Sequence, residues 1–79
     1  MLVRVKLFAT LTKFTPGKEP GIPFVSEIPD GSRLLDLMAH LKLPEEEVKF
    51  LFVNGRVQPE GYKLNSNDEV GIFPPVGGG

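Results

Sequence analysis

With 79 residues, 41% of them hydrophobic and 24% charged, the chain suffices for one domain around a single core. A formal net charge of −1, from nine basic and ten acidic residues, offers no basic footprint for nucleic acid. The lack of cysteine excludes disulfides, thiolate metal sites and a cysteine nucleophile; with no membrane-length apolar run and no signal-peptide centre, the expected location is the cytoplasm.

Leu2–Phe8 alternates, with Val3, Val5 and Leu7 on one side and Arg4, Lys6 and Phe8 on the other, which predicts a half-buried strand. Ala9–Gly21 is rich in Thr, Pro and Gly and reads as a loop, with a short helical turn near Leu11–Phe14. Ile22–Ile28 is expected to form a second strand, antiparallel to the first and held to an edge by Pro23, which has no N–H to give a ladder. Pro29–Ser32 is a turn into a helix for which Ser32 is the expected N-cap. Leu34, Leu37, Met38 and Leu41 recur at helical spacing and make one apolar stripe, and Pro44 marks a stop.

His40 is the single histidine, and its surroundings read as helix surface rather than as a base or ligand; Glu45–Glu47 reads as a solvated acidic turn. No residue set in the chain suggests a metal site. Val48–Val53 is almost wholly apolar and is expected to be a third strand, central in the sheet, either buried on both faces or with one face covered by something else. Asn54-Gly55 signals a tight hairpin turn into a short strand at Arg56–Gln58. Tyr62 and Leu64 anchor an irregular stretch, Asn67 suits a left-handed turn position, and Glu69–Phe73 is the last strand.

This order predicts an α+β fold, a β-grasp or ubiquitin-like arrangement: a mixed sheet of four to five strands with one main helix on one face, and the first and last strands parallel in its middle. Residues 1–79 form one domain on this reading. The uncovered face would carry Phe8, Phe73 and one side of Val48–Val53. It is either a docking surface or a surface covered by Leu11, Phe14 and their loop.

The chain closes with Pro74-Pro75-Val76-Gly77-Gly78-Gly79. Two prolines cannot donate to a ladder, so the last strand should leave its sheet there. Residues 74–79 then make a flexible tail, of which the part from Pro75 onward reaches about 16–18 Å. Glycine lacks a Cβ and can pass a channel too narrow for other residues, and a terminal carboxylate can be activated by ATP as a mixed anhydride.

The run from Leu64 through Asn65-Ser66-Asn67-Asp68-Glu69-Val70 to Pro74-Pro75-Val76 and Gly78-Gly79 resembles the C-terminal signature of the MoaD/ThiS sulfur-carrier family. Val3–Ala9, Pro29–Leu37 and Val53-Asn54-Gly55 are similar to that family's first strand, helix entry and central turn, in the same order. Asn67 stands where the family usually has glycine, and Gly77 where the MoaD branch often has alanine. The Pro-Pro pair and Leu7-Phe8-Ala9 favour that branch, the small subunit of molybdopterin synthase.

The resemblance implies that a MoeB/ThiF-like adenylating enzyme uses ATP to activate the Gly79 carboxylate, that a sulfur donor protein converts it to a thiocarboxylate, and that a MoaE-like large subunit receives the tail for molybdenum cofactor biosynthesis. Gly79 and Gly78 are then the reacting end, and Phe8, Phe73, Pro74, Pro75, Val76 and Gly77 contact partners. The chain itself brings no cofactor and no metal, meets no membrane or nucleic acid, and leaves the chemistry to its partners. Sulfur carriage toward thiamin, tRNA thiolation or a tungsten cofactor, a ubiquitin-like protein modifier, and a plain interaction domain stay open as alternatives.

Overall fold

The computed structural model describes residues 1–17 and 19–75. Among these residues, five strands and one α-helix form in the order β1 (Leu2–Leu7), β2 (Phe24–Glu27), α1 (Leu34–His40), β3 (Phe50–Val53), β4 (Arg56–Val57) and β5 (Glu69–Phe73), with short 3₁₀ turns at Ala9–Phe14 and Glu45–Glu47. The sheet runs β2-β1-β5-β3-β4. β1 and β5 are parallel; β1–β2, β3–β5 and β3–β4 are antiparallel. This is the expected mixed β-grasp sheet, with β5 at its centre and β1 beside it.

The core forms where alternation meets the helical stripe. Val3, Val5 and Leu7 of β1, Val70 and Ile72 of β5, and Leu51 and Val53 of β3 point to one side and pack on Leu34, Leu37 and Met38 of α1. Leu11 and Leu64 are buried in the same cluster, and Phe14, Leu41 and Tyr62 pack against it half-exposed. A 3₁₀ turn at Ala9–Phe14 thus spans the expected helical turn and closes one edge of the core.

Three expectations need correction. The helix N-cap is Arg33, not Ser32: the Ser32 hydroxyl turns back to donate to the Pro29 carbonyl at 2.7 Å, and the Asp36 carboxylate accepts from the Arg33 N–H at 2.8 Å. The helix ends before Pro44 acts, because Lys42 turns left-handed (φ 59°) and the Leu43 N–H reaches the Met38 carbonyl at 3.0 Å, closing the last turn. Most relevant to function, β3 is shorter than Val48–Val53 and lies next to the centre rather than at it, while one side of it stays on the uncovered face as expected. Leu51 and Val53 are buried, while Phe50 is 40% exposed and Phe52 half-buried on the other side. A run of apolar residues marks a two-sided strand only when both sheet faces are covered; with one helix, the second face stays open.

Local turn chemistry locks the strand that leads to the tail. Asn54 and Gly55 both adopt positive φ (51° and 83°), as a two-residue hairpin between β3 and β4 requires. The Asn54 side chain then spans to β5: its Oδ1 accepts from the Glu69 N–H at 2.9 Å, and its Nδ2 donates to Asp68 Oδ1 at 3.0 Å. Among the described residues, no helix is long and apolar enough to cross a membrane.

Candidate docking face and tail root

Opposite α1, the sheet carries an aromatic cluster. The rings of Phe8 and Phe73 stack with centroids 4.0 Å apart and planes 8° from parallel. Phe52 meets Phe73 edge-on, at 5.2 Å and 67°. Alternation explains the placement: Phe73 is out of phase with Ile72, Phe52 with Leu51 and Val53, and Phe8 with Leu7, so each is turned away from the core. The three rings and Gly71 line a shallow depression of about 370 Å³, bordered by Arg4, Lys6, Glu69 and Pro23. Nearby, Phe50 and Val57 stay 40% and 58% exposed, so the face presents apolar surface beyond the rings.

Leu11 and Phe14 do not cover this face. Leu11 is fully buried in the core, and Phe14 lines a groove with Phe24 and Leu41 on the helix side.

Phe73 is also where the sheet lets the chain go. On one side the Ile72 carbonyl accepts from the Phe8 N–H at 3.1 Å; on the other, the Phe73 carbonyl accepts from the Lys49 N–H at 2.8 Å. These are the last rungs before Pro74 and Pro75, which cannot extend either ladder. Pro74 is half-buried and Pro75 exposed. The tail therefore starts from a strand end bonded on both sides and held by two aromatic contacts.

Of the residues singled out from the sequence, the structure brings together Phe8, Phe73 and Pro74, with Pro75 following. Val76, Gly77, Gly78 and Gly79 lie outside the described residues. Sequence reasoning places Phe50 and Phe52 here only as one side of Val48–Val53, and does not single out Gly71, Arg4 or Lys6. Their signal was present in the alternation: Arg4 and Lys6 share the Phe8 parity on β1, and Phe50 and Phe52 oppose the buried parity of β3. Among the described residues, no group of three or more His, Asp or Glu is arranged to hold a metal. His40 is exposed near the end of α1, away from the aromatic face.

Among the described residues the fold is a ubiquitin-like β-grasp sheet whose aromatic face leads to Pro74 and Pro75. The sequence model of the ThiS family matches residues 5–79, through the final glycine, and the chain belongs to that family. A Pyrococcus furiosus protein assigned as molybdopterin converting factor subunit 1 is 30% identical and superposes with a TM-score of 0.75, over 95% of this chain and 98% of that one. A chain of the Helicobacter pylori complex of molybdopterin-converting factor subunits 1 and 2 is 26% identical with a TM-score of 0.62, covering 100% of both chains. Small archaeal modifier protein 1 of H. volcanii shares the fold at 18% identity, with a TM-score of 0.73 over 95% of this chain and 98% of that one. No curated protein gives a significant match.

Proposed function

We propose that this chain is a cytoplasmic sulfur carrier that serves as the small subunit of a molybdopterin synthase. The observation that carries this reading is the family match through Gly79 on a chain whose last strand ends at the Phe8–Phe73 stack. Such a root ends both ladders at Pro74 and Pro75, while the aromatic face provides apolar area for a partner to bury.

In this reading the Gly79 carboxylate attacks the α-phosphate of ATP on a MoeB/ThiF-like adenylating enzyme, giving an acyl-adenylate and pyrophosphate. Sulfur supplied by a donor then displaces AMP at the acyl carbon and leaves a C-terminal thiocarboxylate. A MoaE-like large subunit takes the loaded tail, and Gly78 and Gly79 fit because they bring no side chain into a narrow channel. Phe8, Phe73, Pro74, Pro75, Val76 and Gly77 make the docking contacts. ATP is the activating enzyme's substrate, and this chain's task is binding and aiming. The H. pylori subunit 1–subunit 2 complex supports a large-subunit partner.

The test is incubation with an adenylating enzyme, ATP and sulfide, followed by intact mass measurement. The expected change is one oxygen-for-sulfur exchange, absent when Gly79 is deleted. An unchanged mass under conditions that load another family member, or loading of the Gly79-deleted chain, refutes the proposal.

A further inference from the structure

The Asn54-Gly55 turn joins a side-chain amide to an unshielded backbone nitrogen. Gly55 has no Cβ, and no other part of the fold lies within 4 Å of where one would stand. Its nitrogen is therefore sterically free to attack the amide carbon of Asn54. Asn65 and Asn67 precede Ser66 and Asp68, whose side chains hinder the same attack. Asn54 and Gly55 are both exposed, so water reaches the turn. Asparagine is a thermolabile residue, and this one stands where its chemistry is least obstructed.

Two bonds from the neighbouring strand hold that chemistry off. Asn54 Oδ1 accepts from the Glu69 N–H at 2.9 Å, and its Nδ2 donates to Asp68 Oδ1 at 3.0 Å. The Asn54 N–H donates in turn to the Glu69 carbonyl at 2.8 Å, so backbone and side chain grip the same residue. Asp68 is itself fixed: it is 7% exposed, and its Oδ2 accepts from the Asn65 N–H at 2.8 Å. A side chain pinned at both polar atoms cannot swing its carbonyl carbon onto the next nitrogen until the pins open.

We propose that Asn54 is a deamidation site on which Asp68 and the Glu69 N–H act as the brake. When both bonds open, the Gly55 nitrogen bonds to Asn54 Cγ and gives up its proton, the Cγ–Nδ2 bond breaks, and ammonia leaves. Water then opens the five-membered imide at either carbonyl, giving aspartate or isoaspartate at position 54. Neither product restores the lock. Aspartate sets a carboxylate oxygen where the Nδ2 donor stood, against the Asp68 carboxylate. Isoaspartate routes the main chain through the former side chain and lengthens a two-residue hairpin turn. The change falls at the start of β5 and beside Gly55, which lines the same depression as Phe52 and Phe73.

The experiment follows NH2-to-OH exchange at residue 54 by peptide mass mapping of the full chain, in mildly alkaline buffer with and without urea. Two hydrogen bonds, one of them to a carboxylate, predict that the folded chain reacts about tenfold or more slowly than the chain in urea. Asp68→Ala in native buffer is expected to react several-fold faster than wild type. Asp68→Asn, which keeps an acceptor oxygen, should fall between the two, and carries the comparison if Asp68→Ala does not fold. Ile28→Val, which trims a buried side chain outside the network, should react as the wild type does. Asn54→Asp should unfold at lower urea than wild type. Equal rates in the folded chain and in urea, or no reaction in urea, overturn the proposal. It also falls if the Asp68 variants react at the wild-type rate, or if Ile28→Val reacts as fast as they do, because global unfolding rather than the two bonds then sets the rate. An Asn54→Asp chain as stable as wild type overturns the assigned consequence of the reaction.

Discussion

Gly71 lies at contact distance from the Phe8 ring: a Cβ at position 71 would stand 3.4 Å from Phe8 Cε2, and 3.5 Å from Phe73 Cε1. The centre of the candidate docking face is thus shaped by a residue with no side chain, flanked in register by Lys6 and Phe52. An alanine methyl fits there at ordinary contact, whereas a branched side chain has to push the ring stack outward. Gly71→Ala is expected to keep partner affinity near wild type. Gly71→Val should lower stability by about 1 kcal/mol through overpacking and weaken partner binding more than it weakens the fold. Urea denaturation and partner titration of the two variants separate these effects.

Phe73 combines two ring contacts with the last backbone rung of β5. Phe73→Leu keeps the strand and the burial but loses the stacked geometry, for which about 0.5–1.5 kcal/mol is expected. The loss should appear in thermal unfolding. A larger loss is expected in affinity for the partner proteins, measured by calorimetry, because the ring is half-exposed in the free chain and the proposed docking would bury it.

Asp68 is 7% exposed and accepts from Asn54 Nδ2 at 3.0 Å and from the Asn65 N–H at 2.8 Å, tying the β3–β4 turn to the start of β5. Asp68→Ala leaves both donors without this acceptor and should cost about 1–3 kcal/mol. Asp68→Asn keeps one acceptor oxygen and should cost less. Equal stabilities of the three proteins in urea would show that the network does not hold β5 in place.

Asn67 has φ 71° and donates its N–H to the Leu2 carbonyl at 2.7 Å. Glycine takes this backbone conformation without a Cβ penalty, so Asn67→Gly should leave stability unchanged or raise it slightly. A β-branched residue should lower it by about 1–2 kcal/mol. The denaturation midpoints of Asn67→Gly and Asn67→Val are therefore expected on opposite sides of, or at and below, the wild-type value.

Leu37 is fully buried in the middle of the helical stripe, whereas Leu35 on the same helix is 40% exposed. Leu37→Ala should destabilise by about 2–5 kcal/mol, most of the stability expected of a domain this small. Leu35→Ala should fall within about 0.5 kcal/mol of wild type. Circular dichroism melts of the two variants check that the stripe, rather than helix propensity, holds α1 on the sheet.

Much of the fold was legible because local rules and tertiary packing agree in this chain. The period-two pattern at Val3, Val5 and Leu7, the helical spacing at Leu34, Leu37 and Met38, and the Asn54-Gly55 turn each name a structure that neighbours then reinforce. The rules misled where two local signals competed. Ser32 and Arg33 both precede the helix, and the cap fell to Arg33 because Asp36 accepts from its N–H while the Ser32 hydroxyl turned to Pro29. Val48–Val53 reads as the central strand because composition records how apolar a segment is, not its place in the strand order, which puts β5 at the centre.

By itself the sequence determined the β-grasp order, the core faces and the family to which the Gly-Gly end belongs, because these rest on periodicity, turn residues and short-range backbone preference. Which aromatic residues form one face was settled only by the tertiary structure. Phe8, Phe52 and Phe73 lie far apart along the chain and meet because β5 inserts between β1 and β3 in a particular register. That register is a long-range choice, made by burying Val70 and Ile72 on one side of the sheet. Turning Phe73 and Gly71 to the other side is its geometric consequence.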